Sequence, residues 1–456
     1  MTKRRDFIKK SLVGTAGIAI GGMGFSAKSY GSIMGSNERI TMAVIGIRGQ
    51  GNGHIDRWCK LKENRNVFLK TICDVDEELY PERVKKVEDA IGTKPLTEWD
   101  MRRVFDDKEI DAVSIATPNH WHALAAIWAA QAGKHVYVEK PSNHEVWEGK
   151  KMIEAARKYN IRMQVGFQNR SIESVREAMK FLHDGGIGDV YMAKGNCYKP
   201  RDSFGISKDS LPPDGLHYDM WLGPAQWRAY NEKRGHYNWH WHWNTGNGDT
   251  GNQGPHQFDI ARWGLNKNEH PVTVASTGGI YGISPKECSQ ETPNTQTSLF
   301  TYKDGKVLEF ETRGRFTNAE SSLNIKIGNM FYGTDGYMEV NGGNWKAFRQ
   351  REKEPFASSE DKSETPMDPT YLVAPGGTEH YANFIDTIRS GNNSELHCDI
   401  REGVMSSDLP GLANIAYRLK RQLTFNGSYE KFANDPEADM MLTRNYRRPY
   451  FVPDEV

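Results

Sequence analysis

Short apolar runs alternate with longer amphipathic stretches through residues 36–165. Continuous apolar runs predict buried strands at residues 40–45, 67–73, 112–117, 135–138 and 161–167. Helices are predicted between them at residues 51–62, 119–132 and 145–159, with a further helix opened by a capping box at residues 97–100. Strands that alternate with helices of about ten to fifteen residues are typical of a parallel, doubly wound α/β sheet.

From about residue 170 the pattern changes to runs in which polar and apolar positions alternate. Strands of this kind are predicted at residues 189–198, 272–277, 297–302, 306–312, 324–331 and 337–340. Asp304-Gly305 and Asp335-Gly336 favour tight turns between such strands. Helices are predicted at residues 174–182, 378–390 and 402–423, and a surface loop at residues 351–368. We therefore expect a second α/β domain with a large open, mainly antiparallel sheet.

Composition narrows the possible partners. The 456 residues have room for two domains, and 59 basic side chains balance 59 acidic ones. Because no basic stripe occurs, no nucleic-acid partner is predicted. The five cysteines are scattered without a Cys-x-x-Cys pair, so neither a disulfide framework nor a zinc site is predicted. Twelve tryptophans suit flat, partly apolar ligands such as sugars, although tryptophan is more often part of a core.

Residues 1–35 have the pattern of a targeting segment and linker. The run Lys-Arg-Arg-Asp-Phe-Ile-Lys at residues 3–9 resembles a twin-arginine export signal, with Arg4 and Arg5 as the twin arginines. The apolar stretch that follows is too short and too weakly apolar to span a membrane, and no cysteine comes after it to carry a lipid anchor. The resemblance implies export of the folded protein to the periplasm, with a cofactor inside and no membrane anchor.

A glycine turn follows the first predicted strand and opens the first helix. Glycine lets the backbone approach a pyrophosphate, and a helix amino terminus favours its negative charge. The fingerprint is imperfect because Arg48 occupies the second glycine position, and an ordinary strand–helix turn is the alternative. Asp74 ends the second strand, where an acid can bond both ribose hydroxyls and repel a 2′-phosphate, which favours NAD over NADP. The turn supplies five candidate cofactor contacts: Gly46, Arg48, Gly49, Gln50 and Gly51.

Two later strands deliver polar side chains to the same edge of the sheet. Thr117 and Asn119 lie at the carboxyl end of the strand predicted at residues 112–117, and we expect them to contact the ribose or amide of the cofactor. His120 is predicted to reach the substrate. Helix capping and simple packing are the alternatives for these residues. The next strand ends at Glu139-Lys140-Pro141, and a lysine there can take a proton from a substrate hydroxyl as hydride leaves the same carbon.

Two histidine-containing segments complete the candidate chemistry. His256 and Asp259 lie three residues apart, so they share one helix face, and His256 can bond the reacting hydroxyl. If residues 238–243 are extended, His240 and His242 lie on one face and three tryptophans on the other. This segment could line a sugar site, pack in the core, or bind a metal through its histidines, although no nearby carboxylate or cysteine completes a ligand set. We predict no metal.

These motifs, with Gly166-Phe167-Gln168, resemble the glucose-fructose oxidoreductase, inositol dehydrogenase and rhizopine-catabolism family (Gfo/Idh/MocA). The resemblance implies an NAD-binding Rossmann domain at residues 36–165 and a substrate-binding and oligomerisation domain at residues 166–456. The family's lysine matches Lys140, and the histidine of its Asp-x-x-x-His pattern matches His256. Its aspartate position is Asn252, which we expect to orient a hydroxyl instead. Further expected cofactor contacts are His122, Glu139, Lys140 and Gln168, and further expected substrate contacts are Arg170, Trp239, His240 and Asp259.

The expected function is that of a periplasmic, NAD-dependent oxidoreductase acting on a ring hydroxyl or ketone of a sugar or glycoside, for example at C3 of a pyranoside. Lys140 is the expected acid/base, the NAD is expected to be tightly held, and a homo-oligomer (dimer or tetramer) is expected. One alternative is a glycosidase that uses NAD for oxidation, elimination, hydration and re-reduction. Others are a non-catalytic sugar or nucleotide sensor and a metal-dependent enzyme using His240 and His242.

Overall fold

A computed structural model describes residues 38–315, 317–359 and 377–456 of the chain. The predicted export segment, at residues 1–35, lies outside the described residues, as does the end of the surface loop predicted at residues 351–368. Among the residues that are described, no helix has the length and apolar character needed to cross a membrane.

The first sheet is parallel and has six strands in the order β3-β2-β1-β4-β5-β6. These strands are β1 (Ile40–Ile45), β2 (Val67–Cys73), β3 (Leu96–Glu98), β4 (Ala112–Ile115), β5 (His135–Val138) and β6 (Met163–Val165). The central strands are buried on both faces, which explains their continuous apolar sequences. The predicted parallel, doubly wound arrangement is confirmed, and β1, β2 and β5 have the predicted bounds.

Six helices accompany this sheet: α1 (Gly49–Lys60), α2 (Lys62–Arg65), α3 (Tyr80–Ile91), α4 (Met101–Asp106), α5 (Asn119–Gln131) and α6 (Val146–Lys158). The capping box predicted at residues 97–100 is wrong, because residues 96–98 pair as β3 and Asp100 alone caps α4 by accepting from the Arg102 amide at 3.0 Å. Helix α3 was not predicted, since only Arg83, Val87 and Ile91 of its twelve residues are buried.

The second sheet has ten strands in the order β14-β13-β12-β11-β7-β10-β9-β8-β15-β16. They are β7 (Val190–Cys197), β8 (Thr273–Gly279), β9 (Thr295–Thr301), β10 (Val307–Arg313), β11 (Ile327–Gly333), β12 (Tyr337–Val340), β13 (Trp345–Phe348), β14 (Ala357–Ser358), β15 (Leu423–Asn426) and β16 (Lys431–Phe432). Strands β7 and β10 are parallel, and the other pairs are antiparallel. The predicted open, mainly antiparallel sheet is confirmed.

The later helices are α7 (Glu173–His183), α8 (Tyr218–Leu222), α9 (Gly248–Asn252), α10 (Gly254–Gly264), α11 (Glu379–Ser390), α12 (Ile400–Leu419) and α13 (Pro436–Asp439). Helix α10 packs on the second sheet through Phe258, whose ring centroid is 4.3 Å from that of Phe310. Helix α11 instead packs on the first sheet, where Tyr381 stacks on Tyr137 with centroids 4.8 Å apart. The chain therefore returns to the first core late in its sequence.

Between β7 and α9 the chain follows a long, largely irregular course that includes a short 3₁₀ helix, His236–Trp241. The condition considered above, an extended backbone at residues 238–243, is therefore not met. Because the backbone turns here, His240 and His242 do not share one face of a strand. This segment faces the carboxyl edge of the first sheet: the His217 amide donates to Val75 O at 2.8 Å, and the Glu77 amide donates to Gly215 O at 3.0 Å.

Candidate active site

A cavity of about 850 Å³ lies along the carboxyl edge of the first sheet, beneath the irregular segment. Its size is within the range of small-molecule and cofactor sites. The cavity collects most of the predicted site residues: Gly46, Arg48, Gly49, Gln50, Asp74, Thr117, Asn119, His122, Glu139, Lys140, Gln168, Trp239, His240, Asn252 and His256. The remaining candidates are Gly51, His120, Arg170 and Asp259, which do not line it.

At two glycines of the turn, Gly46 and Gly51, another part of the backbone lies too close for a side chain. Gly46 has φ +81°, and a Cβ there would lie 2.7 Å from the Ala116 carbonyl carbon. A Cβ on Gly51 would lie 1.6 Å from the carbonyl oxygen of Gly46, so only glycine fits this position of the tight turn. By contrast, a Cβ on Gly49 would meet no atom within 4 Å. The first turn of α1 therefore faces an open space that suits a pyrophosphate.

Asp74 lines the cavity, but both of its carboxylate oxygens are already engaged. Oδ2 accepts from the Ile47 amide at 2.7 Å, and Oδ1 accepts from the Asp76 amide at 3.0 Å. Burial raises the pKa of Asp74 to about 6, although the two amide hydrogen bonds oppose this rise. Asp74 thus holds the glycine turn in place, and Asp76, which sequence reasoning missed, pairs with Arg48 at 2.5 Å nearby.

Three buried polar atoms along the cavity have no hydrogen-bond partner among the described residues: Thr117 Oγ1, Asn119 Nδ2 and His256 Nδ1. Unsatisfied buried polar groups are rare, so a ligand with polar groups is the simplest partner for them. Together with the open glycine turn, these atoms fit a dinucleotide: the first turn of α1 would hold its pyrophosphate, and Thr117 and Asn119 would bond its other polar groups. His122 instead braces the edge, with ring nitrogens 2.6 Å from Pro141 O and 2.7 Å from Thr117 O.

Glu139 and Lys140 follow β5 and form the polar centre of the cavity. The Glu139 carboxylate accepts from His54 Nε2 at 3.0 Å, Gln168 Nε2 at 2.8 Å and Gln50 Nε2 at 3.2 Å. Burial would raise the pKa of Glu139, but His54 and the neighbouring cations hold it well below its usual range. Burial lowers the pKa of Lys140, while the Glu139 carboxylate opposes that effect. The lowered pKa favours the neutral amine of Lys140, the form that can accept a proton as a general base.

His256, Asn252 and Lys140 meet where the second domain faces the first. Lys140 Nζ donates to the Asn252 carbonyl oxygen at 2.9 Å, and the Asn252 side-chain amide donates to Tyr237 Oη at 3.2 Å. His256 stands on α10, and burial, with Lys140 nearby, lowers its pKa to about 3. The imidazole is therefore neutral at pH 7 and can act as a hydrogen-bond donor or acceptor toward a substrate hydroxyl.

The 3₁₀ helix of the irregular segment places His240 and Trp239 at the cavity, and their rings stack with centroids 3.5 Å apart. His240 Nδ1 lies 2.6 Å from the Tyr237 carbonyl oxygen, and burial lowers its pKa to about 3. His242 does not line this cavity; its Nδ1 lies 3.5 Å from Glu291. Across the described ranges, no cluster of three or more His, Cys, Asp or Glu side chains could hold a metal.

Three expected substrate contacts are structural instead. His120 is buried, with ring nitrogens 3.0 Å from Trp221 O and 3.3 Å from Thr245 O. Arg170 donates to both carboxylate oxygens of Asp259, at 2.8 and 2.9 Å. These groups already have partners, and they lie away from the cavity. The predictions for His120, Arg170 and Asp259 are therefore corrected to packing roles.

Sequence reasoning missed the residues that the irregular segment brings to the cavity: Lys199, Arg201, Tyr218, Trp221, Tyr230 and Tyr237. Arg201 is held by Asp249 at 2.9 and 2.8 Å, and Lys199 donates to Gln253 at 2.8 Å. Residues 198–243 are dense in aromatic and basic side chains, and this density is the signal that could have revealed them. The irregular backbone offers no periodicity from which their direction could be read.

Two family models match the chain. One, described as an oxidoreductase family with an NAD-binding Rossmann fold, matches residues 40–167. The other, described as the C-terminal alpha/beta domain of that oxidoreductase family, matches residues 204–327. Together they cover more than half of the chain, which belongs to the Gfo/Idh/MocA oxidoreductase family. The family resemblance and the NAD-binding Rossmann domain expected from the sequence are confirmed.

Curated relatives match over part of their length. The chain is 38% identical to levoglucosan dehydrogenase of Pseudarthrobacter phenanthrenivorans over 126 residues, or 28% of this chain and 31% of that protein. It is 28% identical to alpha-N-acetylgalactosaminidase of Shewanella oneidensis over 170 residues, or 34% of this chain and 36% of that protein. The chain thus spans about a third of each relative. A solved levoglucosan dehydrogenase complex with NADH and levoglucosan shares the fold, with TM-score 0.63, 20% identity and coverage of 85% of this chain and 99% of that chain.

Proposed function

We propose that this protein is an NAD-dependent oxidoreductase that oxidises or reduces a ring hydroxyl or ketone of a sugar or glycoside. The observation that carries the proposal is the meeting of Lys140, His256 and the glycine turn around one cavity. NAD bound there would supply the hydride acceptor or donor. The names of two relatives, levoglucosan dehydrogenase and alpha-N-acetylgalactosaminidase, support a carbohydrate substrate.

Lys140 takes the proton of the reacting hydroxyl in the oxidation direction and returns it in the reverse direction. The lowered pKa of Lys140, caused by burial, increases the share of neutral amine at a given pH. His256 lines the same cavity with an unpartnered Nδ1, so it can orient the hydroxyl or relay its proton. Asn252 holds the lysine through its main-chain carbonyl oxygen, 2.9 Å from Nζ.

The substrate end of the cavity supports a sugar or glycoside, for example one oxidised at C3 of a pyranoside. Trp239, Trp221 and Tyr237 present aromatic faces and edges beside polar groups, and such surfaces match the mixed apolar and hydroxylated surface of a sugar ring. The intact Lys140 and His256 pair argues against a non-catalytic sensor.

A second candidate function is an NAD-dependent glycosidase that oxidises, eliminates the aglycone, adds water and re-reduces the ring. It is supported by the glycosidase relative and by the way the cavity is covered. His217 stacks on Trp99, the residue that follows β3, with centroids 4.1 Å apart. A cover of this kind would retain NAD through several turnovers, which a reaction that regenerates its cofactor requires.

Location and assembly are part of the same proposal. The twin-arginine resemblance at Arg4 and Arg5 supports export of the folded, NAD-loaded protein to the periplasm. The broad second sheet is a surface on which a dimer or tetramer could form. Sedimentation of the purified protein would establish the assembly.

The proposal is tested by mixing the purified protein with a panel of sugars and glycosides. Absorbance at the reduced-nicotinamide band reports hydride transfer, and mass spectrometry reports the product. A ketosugar formed with stoichiometric NADH supports the dehydrogenase. A released aglycone without net NADH supports the glycosidase. If no sugar changes the nicotinamide spectrum and none is converted, the proposed function is wrong.

A further inference from the structure

A second cavity, of about 470 Å³, adjoins the first on the outer side of residues 227–234. Arg234 lines both cavities. Tyr230 faces the first cavity, whereas Trp227 and Arg228 line the second. The wall between them is braced by Tyr218, whose hydroxyl donates to the Arg228 carbonyl oxygen at 3.0 Å. Because Arg234 belongs to both linings, the outer cavity meets the cavity of the proposed active site at this side chain.

The charges around the outer cavity cancel in pairs. Arg228 lies 2.5 Å from Glu291, and Arg234 lies 3.0 Å from Asp209. Because each guanidinium has its own carboxylate, the cavity offers no net charge to a phosphate or a carboxylate ligand. It offers instead a ring of donors and acceptors, which is the arrangement that a neutral, hydroxyl-rich ligand requires.

His242 supplies an independent sign of a missing polar partner. It lines the outer cavity and is 2% exposed. Its Nδ1 lies 3.5 Å from Glu291, at the limit of a hydrogen bond, and Nε2 has no partner within the described residues. A buried imidazole left without a partner is costly, so a hydroxyl group at this position would complete the site.

Trp227 supplies the apolar surface of the outer cavity. It is 69% exposed, whereas the other eleven tryptophans are buried or half-buried. An exposed indole beside a cavity is a flat platform on which the C–H face of a pyranose ring can stack, while its hydroxyls reach the polar groups at the edge. Simple packing does not explain this exposure, because tryptophan is mostly buried in folded proteins.

We propose that the outer cavity is a carbohydrate subsite that holds a second pyranose ring of the substrate, linked to the reacting ring past Arg234, the side chain that lines both cavities. Trp227 forms its platform, and His242, Asp209 and Glu291 bond the hydroxyls. The inference rests on the proposed function, since it makes the substrate a glycoside with at least two sugar rings rather than a free monosaccharide.

Equilibrium binding tests this subsite without turnover. Calorimetry is done on the NAD-loaded protein with cellobiose, maltose and lactose, and with the methyl glycosides of glucose and galactose. Trp227→Ala is compared with the parent protein and with Tyr429→Ala, a matched loss of an aromatic side chain that is 73% exposed elsewhere. We expect at least one disaccharide to bind the parent protein more tightly than its methyl glycoside. Trp227→Ala should weaken the binding of that disaccharide about tenfold and leave the binding of the methyl glycoside unchanged. Tyr429→Ala should bind both ligands as the parent protein does.

Four results would overturn the subsite. One is disaccharide affinity that Trp227→Ala does not alter. A second is equal weakening of methyl glycoside binding by Trp227→Ala. A third is that no disaccharide binds the parent protein better than its methyl glycoside does. The last is a loss of assembly in Trp227→Ala during sedimentation, which would make the indole a contact between copies of the chain. Binding is measured apart from hydride transfer: disaccharide binding that depends on Trp227 supports the subsite, whereas conversion of no sugar or glycoside in the panel would refute the proposed function.

Discussion

His54 Nε2 lies 3.0 Å from Glu139 Oε1, with both side chains almost fully buried directly behind Lys140. The second ring nitrogen of His54 lies 2.8 Å from Ser114 Oγ, so α1, β4 and the end of β5 are joined by one polar chain. Lys140 therefore stands on a rigid base. Its backbone amide donates to the Glu139 carboxylate at 3.2 Å, and a histidine on the cofactor-binding helix holds that carboxylate in position.

Removing His54 should destabilise the protein, because it leaves the buried Glu139 carboxylate with one donor fewer. We expect His54→Ala to lower the free energy of unfolding by about 3 kcal/mol at pH 7. The pKa of Glu139 is depressed in the folded state, so its stabilising contribution is present above its ordinary pKa of 4.5 and is lost as the pH falls. The difference in the free energy of unfolding between the parent protein and His54→Ala should thus become smaller at acidic pH. Urea unfolding at several pH values measures it, with Ser114→Ala as the milder control; an equal difference at all pH values would contradict this account.

Lys140→Ala should keep NAD binding and lose most of the hydride transfer. A general acid–base group contributes roughly 10²–10⁴-fold. Single-turnover reduction of bound NAD by the best sugar measures the loss, and fluorescence titration measures NAD affinity. Higher pH should partly rescue the variant, because ionised substrate becomes more common. Near-normal reduction rates in Lys140→Ala would remove the lysine from the mechanism.

His256→Ala distinguishes two roles for the imidazole. If His256 only orients the hydroxyl, the variant should lose less activity than Lys140→Ala; if it relays the proton, the losses should be similar. Burial and the Lys140 charge keep the pKa of His256 at about 3, so its own ionisation should not appear in the rate profile near pH 7. His256→Gln, which retains hydrogen bonding without proton relay, is the matched control. Full activity in both variants would exclude both roles, orientation of the hydroxyl and relay of its proton.

The pH dependence of oxidation should follow Lys140, which must be neutral to act as a base, so activity is lost as the pH falls. Glu139 raises the pKa of Lys140 against the larger effect of burial. Glu139→Gln should therefore move the acidic limb of kcat/KM to lower pH. Asn252→Asp, which adds a negative charge beside Lys140, should move it to higher pH. Shifts in the same direction in both variants would show that another group controls the profile.

Asp74 lines the cavity while it holds the glycine turn, so its negative charge should repel the 2′-phosphate of NADP and favour NAD. Asp74→Ala should narrow the preference for NAD over NADP by a factor of ten or more, which corresponds to about 1.4 kcal/mol. Burial raises the pKa of Asp74 to about 6, so the discrimination should fade below that pH as the carboxylate is protonated. Asp76→Ala, which frees Arg48 from its ion pair, should favour NADP. Tighter binding of NADP than of NAD by the parent protein would contradict the assignment.

Much of the first domain and its chemistry could be predicted from the sequence. Strands β1 and β5 are buried on both faces, which demands continuous apolar runs that can be seen without a structure. The glycine turn and Lys140 could be located because they directly follow such strands, and parallel strands end at the same edge of a sheet. The family and its NAD-binding domain followed from these local patterns.

Only the tertiary structure decided which polar side chains face the cavity. His120 and His256 both begin helices near the active edge, yet the main chain near Trp221 and Thr245 engages His120 while His256 Nδ1 stays free of partners in the described residues. Arg170 and Asp259 satisfy each other across 89 positions of sequence. Such choices depend on how the irregular segment folds over the sheet, and its backbone follows no periodic pattern that a sequence could display.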